Sequence, residues 1–129
     1  VFPIWEMFFE NMTDRQHRIA TARVKWNSSY QEKTGIMTGA VDPLPEGLKE
    51  RIPVICKRAY RALQLSGYAR IDMRLDAQGR LYVLEANPNP QIANGEDFAR
   101  SADMADVVYP ALIQRILKAG IRWEPERNG

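Results

Sequence analysis

Four side chains stand out for their type and spacing: Arg70 and Asp72 within 68–75 (YARIDMRL), and Glu85 and Asn87 within 81–87 (LYVLEAN). The two segments flank Asp76-Ala77-Gln78-Gly79, a turn-forming run, and the pattern predicts a β-hairpin. Side chains alternate across a strand, so Ala69, Ile71, Met73 and Leu75 fall on one face and Tyr68, Arg70, Asp72 and Arg74 on the other. With the loop at 77–80, Asp76 pairs with Leu81, and counting outward sets Asp72 opposite Glu85 and Arg70 opposite Asn87. Opposed carboxylates repel unless a cation sits between them. Asp72, Glu85 and the amide oxygen of Asn87 are hard oxygen donors of the kind Mg²⁺ takes, its other positions going to water and phosphate oxygens. That donor set points toward a nucleotide. The same four residues also fit an ordinary solvated salt-bridge face, and spacing alone does not choose between the two.

Holding this hairpin falls to the rest of a 129-residue chain, 45% hydrophobic and 26% charged, enough for one domain with a modest core. Residues 1–9 (VFPIWEMFF) read as an edge strand and 18–25 (RIATARVK) as a second strand, followed by a long Gly-, Ser- and Pro-bearing loop over 26–45. Over 46–65, Leu48, Ile52, Ile55, Ala59, Ala62 and Leu63 recur at helical spacing, with Gly67 as the stop. Pro53 inside that helix predicts either a kink or a separate first segment ending near Ile52. A second loop covers 87–97. A last helix starts at Asp103 or a neighbour, buries Val107, Val108, Ala111, Leu112 and Ile116, and ends near Gly120; the tail 125–129 is predicted to fray.

Several function classes drop out. Eighteen basic against sixteen acidic residues leave a net charge of +2, and the basic residues are scattered, so nothing calls for nucleic acid. The single Cys56 has no partner for a disulfide or a zinc site and falls near the apolar stripe of its helix, which reads as packing in a reduced, cytoplasmic setting. No apolar run approaches the ~20 residues of a membrane span. His17 reads as a surface residue. Opening at Val1 inside a predicted strand, the chain reads as a fragment of a longer protein.

Arg70-Ile71-Asp72, followed thirteen residues after the aspartate by Glu85-Ala86-Asn87, resembles the metal-binding pattern of the D-alanine:D-alanine ligase branch of the ATP-grasp enzymes. The likeness runs from about Glu6 to the final helix and is most specific over 68–90 (YARIDMRLDAQGRLYVLEANPNP). It implies an α+β fold in which an antiparallel sheet is packed by helices, residues 1–129 forming the C-terminal portion of an ATP-grasp domain. It implies ATP and one or two Mg²⁺, or Mn²⁺, as cofactors, and a carboxylate and an amine as small-molecule substrates, with neither nucleic acid nor membrane as partner. In such enzymes the carboxylate takes the γ-phosphoryl group and the amine attacks the acylphosphate, giving an amide or peptide bond. Carried over, Asp72, Glu85 and Asn87 hold the metal, with Glu85 bridging. Arg70 steadies the transferring phosphoryl group as the catalytic arginine, and Lys25 reaches the ATP phosphates. Residues 26–45 become a mobile closing loop, with Trp26, Tyr30 and Lys33 as closure contacts. Where these ligases place a glycine and a later serine after the Glu-x-Asn motif, this chain has Gln91 and Glu96, with Arg100 able to supply positive charge, which argues against D-alanyl-D-alanine as the product and leaves the acceptor open. The amino-terminal half of the grasp is missing, and the fragment alone is expected to be inactive. The alternative the resemblance leaves is a nucleotide-binding or regulatory module that ligates nothing.

Overall fold

The computed structural model describes residues 1–12, 24, 27–41 and 43–123. The chain divides into two units, Ile4–Asp42 and a second made of Val1–Pro3 with Pro43–Gly129. Among the described residues the strands form two separate two-stranded antiparallel sheets accompanied by helices, an α+β arrangement as expected from the sequence.

In the first unit, β1 (Trp5–Phe9) runs antiparallel to β2 (Ile36–Ala40), Trp5 facing Ala40 and Phe9 facing Ile36. Helix α1 (Ser28–Thr34) precedes β2. The stretch expected as a long loop over 26–45 therefore carries a helix and a strand. The local reasons are at its ends. Asn27 caps the helix, its side-chain oxygen accepting the Tyr30 N–H at 2.8 Å. Gly35 closes it at φ 60°, a left-handed conformation that favours glycine, and a Cβ there would come within 2.7 Å of Asn11 Nδ2 and force that side chain to shift. Of the strand expected at 18–25, only Val24 is among the described residues, and it is helical and buried. His17, Lys25, Trp26 and the tail 125–129 lie outside the described residues.

In the second unit, α2 (Leu48–Ala62) passes unbroken through Pro53, so no separate segment ends at Ile52. Leu48 and Ile52 are its buried residues, and the bond that Pro53 cannot donate is lost on a helix anchored by that apolar pair. The hairpin of β3 (Arg70–Leu75) and β4 (Leu81–Asn87) follows. The helix expected from Asp103 or a neighbour to about Gly120 starts later, as α4 (Tyr109–Ile121), and a short helix that was not expected, α3 (Asp97–Asp103), lies before it with a break between the two. Pro110 explains the break: it sits in the first turn of α4, where its missing N–H costs nothing, whereas in a continuous helix its ring would meet the carbonyl four residues earlier. That earlier residue, Asp106, has φ 58°, which no α-helix accommodates.

The apolar core lies in this helical pair. Ala99, Ala102, Val107 and Leu112 are buried, with Phe2, Phe98, Tyr109, Ala111 and Ile116 packed around them. Ser101 donates to the Pro3 carbonyl at 2.6 Å and holds the segment carrying Phe2 to α3. No described helix is long and apolar enough to cross a membrane.

Candidate functional site

Turn chemistry sets the hairpin. Asp76 N–H donates to the Arg80 carbonyl and Gly79 N–H to the Asp76 carbonyl, each at 3.0 Å. The Asp76 carboxylate accepts the backbone N–H of Gln78 at 3.0 Å and of Arg80 at 2.8 Å, together with Arg80 Nε at 2.7 Å. The Arg80 backbone bond does most to hold the Asp76 carboxyl below the usual carboxylate range. Gly79, at φ 75°, completes the turn, and Arg51 of α2 donates to its carbonyl at 3.2 Å.

From this tip the ladder starts with Leu75 opposite Leu81, one place off the register expected from a loop at 77–80. It then pairs Arg74 with Tyr82 and Met73 with Val83, and a bulge between Asp72 and Met73 leaves Leu84 as the extra residue. Leu84 is 66% exposed. The bulge restores the offset, so Asp72 faces Glu85, Ile71 faces Ala86 and Arg70 faces Asn87. The pairing inferred from sequence is thus the observed one, reached through two deviations that cancel.

On this face Arg70 grips Asp72 with a two-pronged ion pair, Nε to Oδ1 at 2.7 Å and Nη2 to Oδ2 at 2.9 Å. The Arg70 guanidinium is raised above its usual value, first by that hydrogen-bonded pair, and further by the charges of Asp72, Glu85 and Asp97, against the opposing effect of partial burial. Asp97, in the first turn of α3, is therefore a member of the site's field that reading 87–97 as a loop did not find. Asn87 Oδ1 accepts the Asn89 N–H at 2.9 Å, and Asn89 Oδ1 in turn accepts the Tyr68 hydroxyl at 3.1 Å. Gln91 and Glu96 are both exposed, Glu96 preceding α3 as its cap residue without a side-chain capping bond, and Arg100 lies within that helix.

The donor set fits a hard divalent cation. The register brings Asp72, Glu85 and Asn87 to one face of the hairpin, where their carboxylates and the amide oxygen offer oxygen donors. Among the described residues no group of three His, Cys, Asp or Glu gathers as a metal cage, so a cation here would fill its remaining positions with phosphate oxygens and water. Lys25, expected to reach phosphate, is outside the described residues and cannot be placed beside this set.

Residues 10–118 match the family model described as D-ala D-ala ligase C-terminus. The chain belongs to that family. A D-alanine–D-alanine ligase from Bacillus anthracis is 34% identical over 103 residues, covering 80% of this chain and 33% of the relative. Among solved structures, the Bacillus anthracis D-alanine–D-alanine ligase complexed with ATP superposes with a TM-score of 0.61 at 34% identity, covering 67% of this chain and 30% of that one. A second crystal structure of the ligase from the same organism gives a TM-score of 0.70 at 26% identity over 94% of this chain and 36% of that one. The chain spans about a third of the length of the relatives it matches. Both the family and the fold identified from Arg70-Ile71-Asp72 and Glu85-Ala86-Asn87 are those of these ligases.

Proposed function

We propose that this chain is the C-terminal ATP- and Mg²⁺-binding part of an ATP-dependent carboxylate–amine ligase. The observation that carries the reading is the register that sets Asp72 opposite Glu85, with Arg70 and Asn87 on the next rung, in a chain of the D-ala D-ala ligase C-terminus family. Two carboxylates directly opposed in a sheet repel; Arg70 offsets the Asp72 charge, and a nucleotide-bound cation would offset that of Glu85 as well. Asp72, Glu85 and Asn87 are the ligands in this reading. These residues would hold Mg²⁺, whose chemistry there would be to neutralise negative charge on the phosphoryl group being transferred.

Arg70 stands beside that position, paired with Asp72, and a cation that takes the Asp72 oxygens would release its planar fork to the equatorial oxygens of a transferring phosphoryl group. A carboxylate oxygen attacks the γ-phosphorus and ADP leaves; an amine then attacks the acyl carbon, phosphate leaves, and the nitrogen gives up a proton to solvent as the amide forms. Lys25 is assigned to the ATP phosphates, and 26–45, which contains α1 and β2, to closing the site against water that would hydrolyse the acylphosphate. Glu96 and Gln91 are polar or acidic where a substrate carboxylate would be received, which argues against D-alanyl-D-alanine as the product and leaves the acceptor open.

The test is to incubate the full-length protein with Mg²⁺, ATP and a panel of amino acids, measuring phosphate release and searching for condensed products by mass spectrometry. Amine-dependent phosphate release with a product heavier than either substrate is expected. ATP binding without amine-dependent release would instead identify a nucleotide-binding module.

A further inference from the structure

The hairpin face continues past the last ladder rung. Arg70 faces Asn87, so the next pair on the same face, two residues outward on each strand, is Tyr68 with Asn89. The side chains make that rung explicit: the Tyr68 hydroxyl donates to Asn89 Oδ1 at 3.1 Å. Asn89 then donates its own backbone N–H to Asn87 Oδ1 at 2.9 Å. We propose that Tyr68 and Asn89 are positioning residues that present the amide oxygen of Asn87 to the metal. The proposal rests on Asn87 being a metal ligand, as read above.

An asparagine ligates through oxygen only, and its amide can turn to offer nitrogen instead. A backbone N–H pointing at the amide decides the matter, because it can face Oδ1 but not Nδ2. One lone pair of Oδ1 is used by Asn89 and the other stays available to a cation. The N–H itself must be fixed for this to work. Pro88 locks the φ before Asn89, and Pro90 confines Asn89 to extended backbone. The peptide plane that carries the N–H can still turn about the Pro88 ψ and the Asn89 φ, and the Tyr68 hydroxyl, by holding the Asn89 side chain, limits that turn. The Tyr68 ring is in turn held edge-on against Phe98 of α3, with centroids 5.7 Å apart, and Phe98 meets Phe2 in the same way at 5.8 Å. Phe98 and Phe2 pack on the buried cluster of Ala99, Ala102, Val107 and Leu112. The apolar core thus reaches the polar face through one hydroxyl, and outer groups of this kind tune how well a ligand binds its metal.

Mn²⁺ titrated into the full-length protein at saturating ADP, with free Mn²⁺ read by electron paramagnetic resonance, tests this without turnover. Tyr68→Phe keeps the ring on Phe98 and removes only the hydroxyl, and it is expected to weaken Mn²⁺ binding about tenfold. Asn89→Ala keeps the backbone N–H and should weaken binding by a similar factor, and the double variant should be no worse than either single one, because both cut the same link. The Mg²⁺ concentration needed for half-maximal ADP formation should rise in parallel, with kcat at saturating Mg²⁺ little changed. Mn²⁺ binding within twofold of wild type in Tyr68→Phe, alongside clear weakening in Asn87→Ala, overturns the positioning role and leaves Asn87 as a ligand. Unchanged binding in Asn87→Ala overturns both. A fall in melting temperature that accompanies the Tyr68→Phe loss would mark the hydroxyl as merely structural, and additive losses in the double variant would break the proposed link.

Discussion

Helices α3 and α4 bury Ala99, Ser101, Ala102 and Leu112, with Val107 buried between them, while β3 and β4 of the same unit contain no buried residue at all. The first region is held by apolar burial, which is non-directional and worth roughly 25 cal/mol for each Å² removed from water. The second is held by directed contacts: a carboxylate-capped turn, a ladder with one bulge, and an ion pair whose partners remain 42% and 33% exposed. Exposed pairs of that kind contribute about 0.2–1 kcal/mol. A hairpin so lightly invested in stability is free to carry charges that a core could not tolerate. Stability and chemistry should therefore separate under mutation.

The largest effect is expected on the hairpin face. In the full-length protein, Asp72→Asn or Glu85→Gln should lower ADP formation about a thousandfold, while circular dichroism and the melting temperature stay close to wild type. Unchanged turnover would remove these residues from the site, and unfolding would contradict the division between the two regions. Leu112→Ala should do the reverse. Leu112 is only 2% exposed, and its truncation should cost about 2–5 kcal/mol in denaturant unfolding, with metal binding preserved in the fraction that stays folded.

A smaller effect is expected at the hairpin tip. The Asp76 carboxyl is lowered in the fold, so the stability it contributes is present above the ordinary aspartate value of about 3.9 and is lost as pH falls through its depressed folded value. Amide chemical shifts of Gln78 and Arg80 should titrate together below the usual aspartate range, and Asp76→Ala should abolish that titration. Titration at the ordinary value would show that the turn does not hold the carboxylate. The smallest effect concerns Cys56 in α2. Burial pushes its thiol up, so alkylation near neutral pH should be slower than for free cysteine and should reach the free rate on unfolding. Fast modification of the folded protein would contradict its packed placement.

The contrast also governs what could be read in advance. Hairpin pairing was legible because alternation and turn residues act locally, and the one irregularity left a trace in the adjacent apolar pair Val83-Leu84, which breaks strict alternation. The helical region was harder. Apolar spacing across Val107 and Val108 imitates a helix, and Pro110, which belongs in a first turn, was the stronger signal. Helix α1 was also marked, by Asn27 and Gly35 as its caps, within a stretch whose serines and glycine suggested a loop. The Asp97 charge acting on Arg70 and the bonds of Asn89 are set by where α3 and the Asn-Pro-Asn-Pro turn come to lie, a tertiary matter that spacing along a strand does not contain.

The most direct test of the hairpin as a metal and nucleotide site is a crystal structure of the full-length protein with Mg²⁺ and a non-hydrolysable ATP analogue. The expected result is Mg²⁺ at about 2.1 Å from carboxylate oxygens of Asp72 and Glu85 and from the Asn87 amide oxygen, with analogue phosphate oxygens completing its shell. Mg²⁺ and phosphates held elsewhere, with Arg70 still closed on Asp72 and the hairpin face bare, would contradict it.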